Sequence, residues 1–385
     1  MKSTLPPAAR RDARSSDGLD TTGPAIFLSL FGQHDNLGDS VLRRPWYESF
    51  RGLGPIHAAV GDHAEDYLSA FPLDRRTALY SSNLKWTAAA LWSAARRRTV
   101  MAFVAGEVVT TPKSALVYLI YGAIARAARI RGGHAVFAGV GVKINSRPWV
   151  VRVLRWMIEP CEIVVARDPA SAALLGTDNV GPDWAFLDGR TTAPAAATGP
   201  QDRRTVAVSL RGDQPAPAAD TVSALGRAAK LADLDVVVIS QVRRDNQRCC
   251  DLAAQLGREV PTTVVTWESG NHAEHERLVR EVYGRSAVAV GDRLHALIVA
   301  MTEGAVPLTL GSEFSRKAEN ALRAVGYELP GGGLGPAVPG GGEAMAEVLR
   351  QAAGSSAASW ACVERARRQL RQTRSRIRGL LTDGS

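Results

Sequence analysis

Short apolar runs closed by glycine or charge recur along the chain, and between them lie longer stretches whose apolar positions repeat at helical spacing. Runs of the first kind suit strands of a parallel sheet buried on both faces, and stretches of the second kind suit amphipathic helices. The first run, residues 25–30, empties into Phe31-Gly32-Gln33-His34-Asp35-Asn36-Leu37-Gly38-Asp39-Ser40, and a helix is predicted to start near Asp39. Further strands are predicted at 100–105, 135–138 and 162–166, with helices around Trp86, Trp92, Tyr118, Tyr121, Trp149 and Trp156 between them. Residues 189–204 have loop composition. The alternation then restarts with strands at 205–210, 235–240, 262–267, 288–291 and 305–310, separated by helices near 218–232, 246–257 and 274–284. The pattern predicts a disordered tail over 1–23, one α/β domain over 24–190, a linker over 191–204 and a second α/β domain over 205–330. A glycine-rich link at 331–345 and a helical tail at 346–385, crossing back over the first domain, complete the expectation.

The stretch from Val288 to Leu310 organises the candidate chemistry. It reads as strand, polar turn, helix, glycine stop and strand, with Asp292 as N-cap and Gly304 as a left-handed stop. Arg293 and His295 would then occupy the first helical turn at the carboxyl end of a strand. Open α/β sheets bind ligands at that edge, and helix N-termini favour anions. Arg167 has the same kind of place, with Asp168 as N-cap, Pro169 at the first helical position and a helix end at Gly176. A first-turn arginine that faces water, or an Arg167 paired with a nearby acid, fits the spacing as well. In the second half the strands end on Arg211, Gln241, Asp245 and Arg293, tips expected to converge on one crevice, and Lys317 could face the same cleft. The loop bearing Asn36, Gly38 and Asp39 has the shape of a phosphate or sugar cradle, without the lysine of a P-loop or the spacing of a dinucleotide fingerprint. A simple turn is the alternative.

Composition bounds the rest. The 385 residues are 45% hydrophobic and 22% charged, enough for two cores, and the net charge of +9 comes mostly from arginine. That excess suits anionic partners such as phosphorylated metabolites or an acidic membrane surface, though scattered basic residues also fit an arginine-rich background. No aromatic-basic surface stands out, so nucleic acid is not expected. Cys161, Cys249, Cys250 and Cys362 lack metal-ligand spacing and read as free thiols, with Cys161 and Cys249 as packing residues; no metal is expected. The N-terminus has no secretory pattern and no apolar run is long enough to span a bilayer, so the expected place is the cytoplasm, with room for peripheral contact at the inner face of the membrane. The Trp- and Tyr-bearing helices with their arginines could rest on such a surface, or pack on the sheet with the arginines snorkelling to solvent.

At these residues the chain resembles the polysaccharide pyruvyl transferase family. The resemblance rests on Asn36-Leu37-Gly38-Asp39, Arg167-Asp168-Pro169-Ala170-Ser171, Gly181-Pro182-Asp183-Trp184-Ala185-Phe186, and above all Gly291-Asp292-Arg293-Leu294-His295-Ala296 through Gly304-Ala305-Val306-Pro307 to Lys317. It implies an α/β fold of two Rossmann-like domains facing across a cleft, GT-B-like, and no cofactor. It also implies phosphoenolpyruvate as donor substrate and a sugar or lipid-linked oligosaccharide as acceptor. Carried onto this sequence, His295 is implied as the catalytic acid, and Arg293 and Arg167 as the arginines that hold the donor. One departure stands out: Ala105-Gly106-Glu107 replaces a glycine triplet, which bears on the acceptor side. A glycosyltransferase using a nucleotide sugar, or a non-catalytic binding protein of the same fold, are the alternative readings.

Overall fold

Phe27, Met101 and Phe137 lie buried in three strands of one sheet, and the fold of the first half grows around them. The computed structural model of the chain describes residues 23–61, 65–103, 105–143, 146–193, 203–268, 271–310, 315–334 and 341–382. The predicted tail over 1–23, except Gly23, and most of the linker, residues 194–202, lie outside them. The chain divides into two units, one comprising 1–33, 46–179 and 374–385, the other 34–45 and 180–373.

In the first unit the strands are β1 (Ala25–Ser29), β2 (Ile56–Ala59), β3 (Thr77–Tyr80), β4 (Thr99–Ala102), β5 (Gly106–Val108), β6 (His134–Val142) and β7 (Ile163–Ala166). All pair in parallel, and the sheet has seven strands in the order β3-β2-β1-β4-β6-β5, with β7 also on β6. The long β6 pairs β4 from His134 to Val136 and β5 from Val140 to Val142, while β7 pairs it across the stretch between. β4 and β5 therefore share one edge of β6 as a single interrupted position, which leaves the strand order of a Rossmann sheet. The interruption precedes Gly106, whose φ of 123° favours glycine. β2 and β3 were not anticipated: at four residues each, with no alternation of polar and apolar positions, they carry little periodic signal.

Helices Asn83–Arg96, Pro112–Ile130 and Pro148–Ile158 cover one face of this sheet. They bury Trp86, Ala90, Tyr118, Ile124, Leu154 and Met157 against Phe27, Met101 and Phe137. The second opens with a capping box, Thr111 accepting from the Ser114 N–H while the Ser114 hydroxyl accepts from Thr111. The C-terminal helix Ser356–Thr382 enters this unit at Arg374, where Arg374 and Arg378 donate to the carbonyls of Glu48 and Ser49.

In the second unit the strands are β8 (Thr205–Ser209), β9 (Asp235–Ile239), β10 (Thr262–Val265), β11 (Ser286–Gly291) and β12 (Val306–Leu308), all parallel in the order β10-β9-β8-β11-β12. This is again a Rossmann order. Pro307 is tolerated because β12 is an edge strand, where a missing N–H breaks no inner ladder. Helices Ala219–Leu231, Asn246–Leu256, His272–Arg285 and Leu294–Thr302 fall within a few residues of the predicted ones.

Residues 34–45 and 180–190, placed with the first domain on sequence, belong to the second unit. Hydrogen bonds explain the difference. The Leu37 N–H donates to the Gln241 carbonyl at 3.2 Å, the Arg243 N–H to the Asp35 carbonyl at 2.9 Å, and Asn36 bridges to Val242. Arg190 donates its N–H to the Thr302 carbonyl at 3.3 Å.

Candidate active site

The strand β11 ends at Gly291, and the helix Leu294–Thr302 starts almost at once. Arg293 holds the N-cap position with an extended backbone (φ −96°, ψ 123°) and no side-chain cap. Asp292, expected to cap this helix, instead accepts the Arg211 backbone N–H at 3.0 Å and so ties the ends of β8 and β11 together. Arg293 thus lies one residue ahead of the first turn, and His295 lies within it. At the other end Gly304, at φ 94°, provides the left-handed stop read from the sequence.

The helix Leu37–Phe50 brings a second first turn to the same place. Asn36 Oδ1 accepts the Gly38 N–H at 3.0 Å, which sets the start of that helix. A Cβ on Gly38 would stand 2.5 Å from His295 Nδ1 and 2.8 Å from its Cβ, so only glycine lets the backbone approach this closely. Two helix N-termini therefore meet at His295, and each carries unsatisfied N–H groups and partial positive charge. Such a junction favours a small anion. On the other side of the ring, Nε2 is buried and lies 3.5 Å from Asp183 Oδ2, without hydrogen-bond geometry. Asp183 is itself fixed, its Oδ1 accepting the Ala185 N–H at 3.0 Å. Asp183 belongs to the Gly181–Phe186 motif, and a single buried acid there carries no periodic signal that would mark its role.

The strand tips do converge, but the arginines bring their own carboxylates. Arg293 donates to Asp245 Oδ2 from Nε at 2.8 Å and lies within 2.5 Å of it through its terminal nitrogen. Asp245 Oδ1 accepts the Gly212 N–H at 2.9 Å. Arg211 makes a two-pronged pair with Asp213, at 2.8 and 2.7 Å, whose hydrogen bonds hold the Asp213 carboxyl down at about 2. Asp245 therefore acts as the orienting partner of Arg293, and Asp213, at 3.9 Å from Arg293, is a second acid at this edge.

Burial gives Asp292 the opposite shift, up to about 6, against the pull of the Arg211 N–H and the two guanidinium groups. A carboxyl whose pKa is raised on folding binds its proton more tightly in the folded state. Its contribution is then present at low pH and lost as pH rises through about 6. Asp292→Asn keeps the acceptor for Arg211 and removes the titration. Relative to the natural chain, the variant is expected to gain about 2–3 kcal/mol of stability between pH 4 and pH 8, measured by urea unfolding at both values. An unchanged difference would place the Asp292 carboxyl in an ordinary environment.

The remaining expected site residues divide. Gln241 contributes its backbone carbonyl to Leu37, while its buried Nε2 has no hydrogen-bond partner among the described residues. Asp39 is in an ion pair with Arg43 at 2.5 Å, one turn along the same helix. Lys317 stands exposed in the first turn of the helix Arg316–Ala324, and residues 311–314 before it lie outside the described set. Arg167, in the first unit, follows β7 as expected: Asp168 caps the next helix through the Ser171 N–H, Pro169 opens it and Gly176 closes it at φ 75°. Its side chain is buried flat against Gly141, where a Cβ would strike the guanidinium, and it lies 3.9 Å from Glu107. The paired-acid alternative thus describes part of its surroundings, and its partner is the residue that departs from the glycine triplet. Cys161 and Cys249 carry thiols pushed up by burial to about 12, which suits packing residues rather than nucleophiles.

Two parallel sheets in Rossmann order, with the charged strand tips of the second gathered at one edge, place the chain in the GT-B-like class of α/β proteins. Solved structures of that fold resemble it. HepE of Anabaena, in complex with UDP and glucose, is 14% identical with a TM-score of 0.51, covering 92% of this chain and 99% of that one. A putative UDP-N-acetylglucosamine 2-epimerase of Listeria monocytogenes is 12% identical with a TM-score of 0.52, covering 90% and 91%. UGT2 of Phytolacca americana, complexed with UDP-2-fluoro-glucose and pterostilbene, is 10% identical with a TM-score of 0.52, covering 93% and 100%. At these identities the likeness concerns the fold. Among curated proteins none matches. The family model for polysaccharide pyruvyl transferase matches residues 36–311, and the chain belongs to that family. It is accordingly a transferase of polysaccharide biosynthesis.

Proposed function

We propose that the protein transfers a pyruvyl group from phosphoenolpyruvate to a pair of sugar hydroxyls, forming a ketal. The observation that carries this reading is the meeting of two helix N-termini at His295, with Asp183 behind the ring. Phosphoenolpyruvate is a small anion with a carboxylate and a phosphate, and its methylene carbon needs one proton. Acting as the general acid, the imidazole has Asp183 3.5 Å behind its Nε2 and the incoming anion on its other side. Protonation of the methylene leaves cationic character on the neighbouring carbon. One sugar hydroxyl adds there and loses its proton, phosphate departs, and the second hydroxyl closes the ring. Arg293, held by Asp245, is the arginine that faces the donor. As written, the reaction calls for no metal.

The test is phosphate release from phosphoenolpyruvate by the full chain, with fractionated lipid-linked and soluble glycans as acceptors. Acceptor-dependent release, unaffected by nucleotide sugars, is the expected result. Gly38→Ala, which forces the imidazole aside, is expected to lower kcat by about 10²-fold while the protein stays folded, because an ångström of misplacement has that scale of effect. A second reading draws on the UDP and glucose bound by HepE on a similar fold. Release of UDP from a UDP-sugar, with no consumption of phosphoenolpyruvate, would favour it over ketal transfer.

A further inference from the structure

Between Asp74 and Glu159 the chain contains a single acidic residue, Glu107. That stretch includes the three helices on one face of the first unit, Asn83–Arg96, Pro112–Ile130 and Pro148–Ile158, none of which carries an aspartate or glutamate. They are neighbours in that order. Trp86 of the first meets Tyr121 of the second edge-on at 5.6 Å, and Trp156 of the third packs where Gly122 of the second leaves room.

Their inner faces pack on the sheet. Their outer faces do not follow the usual polar pattern. Leu84 is 80% exposed, Trp92 55%, Leu116 63% and Ile130 84%, with Leu91, Leu119 and Trp149 also open to solvent. Arginine sits on the tryptophan faces: Arg96 lies 4.7 Å from the Trp92 ring and Arg126 3.8 Å from the Trp156 ring. Glu159, the first acid beyond the third helix, is already paired with Arg126 at 2.6 Å. An apolar surface of this extent marks an interaction site.

We propose that this three-helix face docks on an anionic lipid bilayer. Charge selects that occupant. A second copy joined through the same face would set arginine and lysine against arginine and lysine across a two-fold axis. A bilayer rich in anionic headgroups instead takes leucine and tryptophan at its boundary and the basic side chains at its phosphates. No helix among the described residues is long and apolar enough to cross a membrane, and the contact proposed is a peripheral one. The inference is independent of the reaction assigned to His295.

Co-sedimentation of the full chain with vesicles tests it. Phosphatidylcholine vesicles containing roughly 30% phosphatidylglycerol should bind about tenfold or more tighter than phosphatidylcholine alone, and 0.5 M salt should remove most of the difference. The double variant Trp92→Glu with Leu116→Glu should lose at least about tenfold in binding, whereas Val264→Glu, on the exposed edge strand β10, should not. Melting temperatures within a few degrees of the natural chain establish that both variants fold; if the double variant does not, Leu84→Glu alone replaces it. Equal binding to both vesicle types, or full binding by the folded face variant, would overturn the proposal. So would a dimer in solution that the face variant separates while vesicle binding stays the same.

Discussion

His295→Ala is expected to reduce turnover of phosphoenolpyruvate by about 10²–10⁴-fold, the usual range for removal of a positioned general acid. The protein should remain folded, because His295 is partly exposed and Gly38 makes no demand on its side chain beyond space. The split between parameters is informative. Loss confined to kcat would mean that the imidazole acts in the transition state, whereas a rise in KM alone would mean that it only holds the anion. Asp183→Asn should show a milder loss in kcat, because it leaves the ring in place and removes the charge 3.5 Å from Nε2. Full turnover by a folded His295→Ala protein, in a coupled phosphate-release assay, would remove His295 from the mechanism.

Arg280→Met is expected to cost about 3–5 kcal/mol, the scale for stranding buried carboxylates by removing their cation. Arg280 donates to Glu276 at 2.8 Å, to Glu303 at 2.7 Å and to Asp188 at 2.7 Å. Arg44 shares two of these acids, at 2.5 Å to Asp188 and 2.6 Å to Glu276. Burial would push Glu276 up, yet Arg44 and Arg280 outweigh it and hold the carboxyl at about 2. Burial likewise opposes the Arg280 charge, and Asp188, Glu276 and Glu303 overcome it. Methionine fills the space of the stem but leaves three acids to Arg44 and to Arg190, whose Nε is 3.8 Å from Glu303. For a unit of this size that cost lowers the melting temperature by roughly 10 °C, read by circular dichroism. A change under about 1 kcal/mol would mean that the acids find other partners or water.

This ion cluster also explains a misplaced boundary. Arg44 and Asp188 lie in segments that loop composition and strand alternation assign to the first domain, yet their charges are neutralised inside the second unit. The alternation of apolar runs marks where strands lie, closely for β1, β8 and β9, whereas it ended β6 at Ala138, four residues short of Val142. It contains no information about which acid will meet Arg44. Short strands such as β2 and β3 escaped for a related reason, since four residues cannot display a period.

What the sequence determined by itself is local and repetitive. The parallel strands follow from apolar runs that must be buried on both faces, and the caps and stops at Asp168, Gly176 and Gly304 follow from backbone preferences of single residues. The convergence of strand ends on one edge follows from parallel topology. Only the tertiary structure decided the partners: Asp245 beside Arg293, Asp292 beneath the Arg211 N–H, Glu107 near Arg167, and Gly38 pressed on His295. Those pairings join residues far apart in sequence, and their energies depend on distance and burial, which no local pattern encodes.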